Sequence, residues 1–210
     1  MLRWLLQKLF HLLYQPFAWS YDLVAWIVSL GRWKRWVHSA LNYLPGPRVL
    51  ELGHGPGHLQ VSLHKLGVHT IGLDRSPQMS RIAARRLRAL GLPLSLVNGF
   101  ANGLPCGEHC FDQVVATFPS EYILEKETLS EVQRVLRPSG ALVVLPVAWI
   151  TGSSLLERAA AWLFRVTGQA AEWDRRFTRP LARAGFQIEE QRLELDGSLV
   201  LLLICHKAAQ

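Results

Sequence analysis

The chain has 210 residues, half of them hydrophobic, and a formal net charge of +7. That length suits one domain with a sizeable core, and that composition excludes a disordered chain. Three cysteines, an odd number, argue against a disulfide framework and fit a reducing cytosol, so the expected location is cytoplasmic.

The charge is unevenly spread. Residues 1–48 hold Arg3, Lys8, Arg32, Lys34, Arg35 and Arg48 against Asp22 alone, together with five of the eight tryptophans (Trp4, Trp19, Trp26, Trp33 and Trp36). Basic residues mixed with tryptophan suit a surface that meets anionic lipid headgroups, so residues 1–41 are a candidate for peripheral contact with the inner face of a membrane. Charge alone would also admit nucleic acid, but no recognition motif is present and no such partner is expected. The apolar stretches near the N-terminus are broken by Lys8, His11, Gln15, Pro16 and Asp22. None reaches the roughly twenty residues of a membrane span, and no cleavable leader is expected.

In chain order, the first predicted element is an amphipathic helix. Leu2, Leu5, Leu6, Leu9, Leu12 and Leu13 recur at three- and four-residue steps, and Pro16 ends the pattern. A second helix is predicted from Ala18 to Leu30, closed by Gly31, and a third from Arg32 to Leu41 with Trp33, Trp36, Val37, Ala40 and Leu41 on one face. Pro45, Gly46 and Pro47 then mark a border, giving a helical cap over 1–45 and a main domain over 46–210.

Residues 49–57 read Val-Leu-Glu-Leu-Gly-His-Gly-Pro-Gly: an apolar run, an acid, then glycines at 53, 55 and 57. Glycine leaves no Cβ between a backbone and a ligand, and the loop feeds a predicted helix over 57–66 whose first N–H groups are free. Such a loop is either a nucleotide cradle or a tight strand-to-helix turn. Asp74 ends a short strand at 69–73, about twenty residues on, where a carboxylate can accept hydrogen bonds from ribose hydroxyls; it could equally cap a helix. Ser76 and Pro77 suit the N-cap and first position of a helix over 77–90, with Met79, Ile82, Ala83, Leu87 and Leu90 buried and Arg81, Arg85 and Arg88 solvated.

Further strands are predicted at 94–98, 111–117 and 140–145, and a helix at 125–136. This alternation predicts a parallel sheet with helices on both faces. Residues 146–177 read as a helical insertion, with a capping-box pattern from Ser154 to Glu157. Strands at 186–195 and 198–205 are joined by Asp196 and Gly197, a strong hairpin signal, so the last two strands should be antiparallel. Cys106, His109 and Cys110 lie close together but lack a second ligand pair, and no metal site is expected.

The pattern Glu51-x-Gly53-x-Gly55-x-Gly57 resembles the first motif of the class I S-adenosylmethionine-dependent methyltransferases. It differs from the dinucleotide fingerprint, which needs a small residue where His58 stands. The resemblance continues through Gly72 to Met79, Leu104 and Pro105 before Phe111 to Val115, and Leu136 to Gly140, so it spans 48–145 in order. Tyr21, Asp22 and Leu23, followed by Ser29 to Trp36, are similar to a segment of the ubiquinone and menaquinone C-methyltransferases. This resemblance implies an α/β, Rossmann-like, doubly wound and mostly parallel seven-stranded sheet with an antiparallel C-terminal hairpin and an N-terminal helical extension. It implies S-adenosyl-L-methionine as cofactor and a small, hydrophobic or lipid-like acceptor.

By the same resemblance, Gly53, Gly55 and Gly57 would let the backbone pass the methionine part of the cofactor, His54 would line the pocket within the loop, and Glu51 would orient the amino group. Asp74 would hold the ribose, Arg75 and Met79 would flank the adenine, and Phe100, Ala101, Thr117 and Tyr21 would complete the pocket. Many relatives carry Asp where Phe100 stands, so adenine recognition here would rest on stacking and backbone groups. His54, Glu121 and Tyr122 are candidates for a catalytic role, each against a purely structural one. Two other functions compete: a non-catalytic binding protein of this fold at a membrane surface, and a nicotinamide-dependent reductase.

Overall fold

The structure, a computed structural model, describes residues 29–152 and 177–207. The expected first helix, most of the second, Tyr21 and the capping-box segment from Ser154 to Glu157 lie outside them. The described elements are α1 (Trp33–Ser39), a 3₁₀ turn (Ala40–Tyr43), β1 (Arg48–Leu52), α2 (His58–Lys65), β2 (His69–Asp74), α3 (Pro77–Ala89), β3 (Leu96–Asn98) and β4 (Phe111–Thr117). A 3₁₀ turn (Glu121–Leu124), α4 (Lys126–Val135), β5 (Leu136–Ile150), α5 (Thr178–Arg183), β6 (Phe186–Leu195) and β7 (Ser198–Lys207) follow.

The strands form one seven-stranded sheet in the order β3-β2-β1-β4-β5-β7-β6. All neighbours are parallel except β7, which runs antiparallel to both β5 and β6. Parallel strands buried on both faces read as continuous apolar runs, because alternate side chains enter different cores. Val49, Val115, Val143 and Leu145 join Trp36, Val37, Leu59 and Leu63 of α1 and α2 on one face. Leu50, Val114, Leu142 and Val144 join Leu129, Val132 and Leu181 of α4 and α5 on the other. The amino ends of the central strands β1, β4 and β5 are fastened by Asp112, which accepts hydrogen bonds from the Arg48 backbone N–H at 3.0 Å and from Arg137 Nη1 at 3.2 Å.

The order reverses at β1: the chain winds outward through β2 and β3, then returns to β4 on the other side. A crevice opens beyond the carboxyl ends of the strands at such a switch point, where open α/β sheets bind ligands. The glycine loop after β1, Asp74 at the end of β2 and Thr117 at the end of β4 all lie there.

Several expectations are corrected. The strand predicted at 140–145 extends over Leu136–Ile150, so residues 146–150 are not part of a helical insertion. The reason is β7, which pairs with Val147 through Ile150 in a register running from Leu201 to Ser198. The register shifts between Val144 and Val147, so Pro146, which has no N–H to donate, falls in the irregularity. β3 is shorter than predicted, starting at Leu96 after Pro93. The helix predicted to reach Leu41 tightens to a 3₁₀ turn from Ala40. Leu90, expected in a buried stripe, lies past the end of α3 and is 49% exposed. Met79, Ala83 and Leu87 of that stripe are buried, and Ser76 caps the helix by accepting from the Met79 N–H.

Leu142 is fully buried between β4 and β7. Leu142→Ala is expected to cost about 3 kcal/mol of unfolding free energy, as truncation of a packed core leucine does. Urea denaturation should show a lower midpoint with an unchanged slope.

Candidate active site

The glycine loop is tied to β2 where Gly53 N–H donates to the Leu73 carbonyl at 2.7 Å, and it closes on itself where Gly57 N–H donates to the His54 carbonyl at 2.9 Å. Gly57 has φ +81 and N-caps α2 in the left-handed region. A Cβ there would stand 2.8 Å from the Ala83 Cβ on α3, so glycine is required twice over: for backbone angle and for helix approach. Gly55, also at positive φ, has nothing within 4 Å of where a Cβ would be, so this stretch of loop faces open space.

Asp74 connects the loop to the next helix. One carboxylate oxygen accepts from Gly55 N–H at 2.8 Å and the other from Ser76 N–H at 2.8 Å. Its own carbonyl accepts from Asn98 Nδ2 at 2.8 Å and from Gly99 N–H at 3.1 Å, tying β2 to the turn after β3. The carboxylate is 8% exposed. Each oxygen takes one described donor and keeps a lone pair for a ligand hydroxyl.

Glu51, two residues before the loop, is 2% exposed. Gln60 Nε2 on α2 donates to Glu51 Oε2 at 2.7 Å and to Thr70 Oγ1 on β2 at 3.1 Å. Burial pushes the Glu51 carboxyl up to about 8; the Gln60 hydrogen bond pulls it down, and the nearby Asp74 charge adds to the rise. Burial therefore favours the neutral acid at neutral pH.

His54 points inward rather than toward the crevice. It is 3% exposed, its Nδ1 lies 2.8 Å from the Gly55 carbonyl, and its Nε2 is buried with no partner among the described residues. Burial lowers its pKa and keeps the ring neutral. Its one described polar contact is with its own loop, an arrangement that suits a loop fastener better than a group at the reacting centre. Tyr122 donates its hydroxyl to the Leu52 carbonyl at 3.1 Å, and burial raises its pKa, both of which disfavour a phenolate base. Glu121 is exposed in the same 3₁₀ turn. Of the groups expected around an adenine, Met79 and Ala101 are buried, Arg75 is exposed, and Phe100 is 65% exposed. Among the described residues no three His, Cys, Asp or Glu side chains converge as a metal site.

Beyond Thr117, Phe118 adopts φ +49, an uncommon conformation for a bulky residue. Its N–H donates to the Leu145 carbonyl at 2.7 Å, and its ring stacks on Trp33 at 4.2 Å between centroids. Trp36 lies 6.2 Å from the same ring. The stack joins α1 to the carboxyl end of β4, which brings Trp33 to the side of the sheet where the crevice opens. Sequence reasoning missed this pair and Gln60. Gln60 had a signal: an amide on the face of α2 that also carries Leu59 and Leu63.

Residues 49–140 match the family described as "Methyltransferase domain". With the sheet order, the loop and the two buried acids, that match supports a class I S-adenosylmethionine-dependent methyltransferase domain over these residues. The methyltransferase domain is 36% identical over 140 residues to a demethylmenaquinone methyltransferase of Thermus thermophilus, covering 63% of each chain. It is 31% identical over 156 residues to that of Mycobacterium tuberculosis, covering 72% of this chain and 64% of the relative. The chain thus spans less than two thirds of these relatives' lengths. A Thermotoga maritima structure described as a possible histamine N-methyltransferase shares the fold, with a TM-score of 0.65 at 19% identity, over 93% of this chain and 98% of the other.

Two predictions follow from the loop of the methyltransferase domain. Gly57→Ala must either move α3 or abandon its backbone angle, and is expected to lower Tm by several degrees, measured by thermal unfolding. Glu51 has a folded pKa above its unfolded value, so the folded state disfavours its charge. The unliganded protein should lose stability as pH rises from about 5 to about 8, and Glu51→Gln should flatten that slope in denaturation series.

Proposed function

We propose that the chain is an S-adenosylmethionine-dependent methyltransferase acting on a small hydrophobic acceptor of the quinone class. The observation that carries the reading is the glycine loop held between buried Glu51 and Asp74 at the switch point of the sheet. The residues present fit the cofactor. Open space at Gly55 admits a ligand against the backbone, Asp74 keeps acceptor capacity for ribose hydroxyls, and Glu51 offers a carboxyl to an amino group. Phe100, exposed beside the end of β3, offers a ring face to the adenine in place of a carboxylate.

The cofactor supplies an activated methyl group on its sulfonium. The protein's share of the work is to align the acceptor and exclude water, which can account for much of the rate without a strong base. Tyr122 and His54 fit this reading as supports of the loop. The Trp33–Phe118 stack would give one wall to a flat apolar acceptor. The curated relatives support the acceptor class by their name, demethylmenaquinone methyltransferase. Residues 1–41, basic and tryptophan-rich, would bring such an acceptor from a lipid surface. No helix among the described residues is long and apolar enough to cross a membrane.

Phe100 also favours a second reading, a non-catalytic binding protein of this fold, because it stands where many relatives carry an adenine-binding Asp. Thermal unfolding separates the two. S-adenosylmethionine at about a hundred times its dissociation constant should add roughly 2.7 kcal/mol, on the order of 5–10 °C in Tm, and the shift should vanish in Asp74→Ala. Methyl transfer to a demethylated naphthoquinone, followed by isotope label, is the expected second result. Binding without transfer to any quinone or lipid would favour the non-catalytic reading, and a shift with a nicotinamide dinucleotide instead would overturn both.

A further inference from the structure

Behind the glycine loop, three buried polar side chains from three elements form a connected chain. Glu51 comes from β1, Gln60 from α2 and Thr70 from β2, and all three are at most 3% exposed. Gln60 Nε2 is shared between Glu51 Oε2 at 2.7 Å and Thr70 Oγ1 at 3.1 Å, while Thr70 Oγ1 lies 3.4 Å from Gln60 Oε1. β2 presses the amide into place: a Cβ on Gly72 would stand 2.9 Å from Gln60 Cδ and 3.1 Å from His54 Cβ. Among the described residues no group donates to Glu51 Oε1.

We propose that Gln60 is a positioning residue for Glu51: its amide, anchored on Thr70, holds one carboxyl oxygen so that the other receives the cationic amino group of the bound cofactor. The inference rests on the cofactor reading above. It assigns a function to a residue outside the loop and gives Glu51 a defined orientation. An amide N–H on Oε2 stabilises that oxygen as an acceptor, so the proton of the unliganded acid resides on Oε1. An arriving ammonium replaces it: the O–H bond breaks, the proton leaves to solvent, and the carboxylate accepts hydrogen bonds from the ammonium. Cofactor binding should therefore release a proton below about pH 8.

The other groups around Glu51 leave this exchange to Gln60. Asp74 on β2 is the carboxylate that adds to the rise, and Tyr122 from the turn after β4 has its hydroxyl on the Leu52 carbonyl. His54 is held neutral by burial, and Arg75 is exposed at the surface. Gln60 is the one group whose hydrogen bond lowers the Glu51 pKa.

The test reads the Glu51 titration directly, by carboxyl ¹³C NMR of the unliganded protein, with the signal assigned through Glu51→Gln. The wild-type midpoint should fall near 8. Gln60→Leu, which keeps volume but removes the donor, should raise it by roughly one unit or more. Thr70→Val should raise it less, by freeing the amide. Leu63→Ala, in the same helix and core, should lower Tm and leave the midpoint in place, as a merely structural role predicts. Calorimetry with S-adenosylhomocysteine in two buffers of different ionisation enthalpy should show proton release, with affinity falling up to about tenfold per pH unit below the midpoint. In Gln60→Leu that fall should begin at higher pH. A midpoint unmoved in both Gln60→Leu and Thr70→Val overturns the role of Gln60. Wild-type protein that binds neither S-adenosylmethionine nor S-adenosylhomocysteine at any pH overturns the cofactor reading and this role with it; binding with an unmoved midpoint overturns the role alone.

Discussion

The Asp74 carboxylate is the joint on which the site depends. It accepts one backbone N–H from the glycine loop and one from the start of α3, so it holds two otherwise unpaired donors at the end of a parallel strand. Loops that approach a ligand with bare backbone carry little side-chain packing of their own. A charged acceptor reaching across from the neighbouring strand supplies the missing constraint, since hydrogen bonds to ionised groups are the stronger kind. Gly57 and Ala83 complete the joint by contact, bringing α2 and α3 together.

Around this joint the chain places its acids in different environments. Glu51 lies inside the sheet layer, paired with an amide and held protonated by burial. Asp74 lies at the edge, satisfied by backbone N–H groups. Burial is the main force that raises the Glu51 carboxyl; the Gln60 hydrogen bond opposes it and the nearby Asp74 adds to it.

The carboxyl end of β4 follows a different logic. Trp33 and Phe118 stack where α1 meets it, and Phe118 adopts an uncommon backbone conformation there. Strain of this kind persists where surrounding packing over-determines it, and here Trp36 and the Leu145 carbonyl supply that packing. As a wall of the proposed acceptor pocket, the stack would select by shape and apolar contact.

Local chemistry was legible in the sequence where it dictates local structure. The Gly53-x-Gly-x-Gly loop, the Ser76–Pro77 helix start and the Asp196–Gly197 hairpin follow from backbone angles and hydrogen-bond capacity that neighbouring residues settle by themselves. The alternation of apolar strands and amphipathic helices likewise implies a doubly wound sheet. What no local pattern encodes is pairing across the fold. The extension of β5 to Ile150 depends on a partner strand some fifty residues later, and the apolar run Val147 to Ile150 suits helix and strand alike. The inward turn of His54, the commitment of the Tyr122 hydroxyl to Leu52, the Trp33–Phe118 stack and the Glu51–Gln60–Thr70 chain all join residues from separate elements. Burial and proton state arise from that juxtaposition, so only the tertiary structure could decide them.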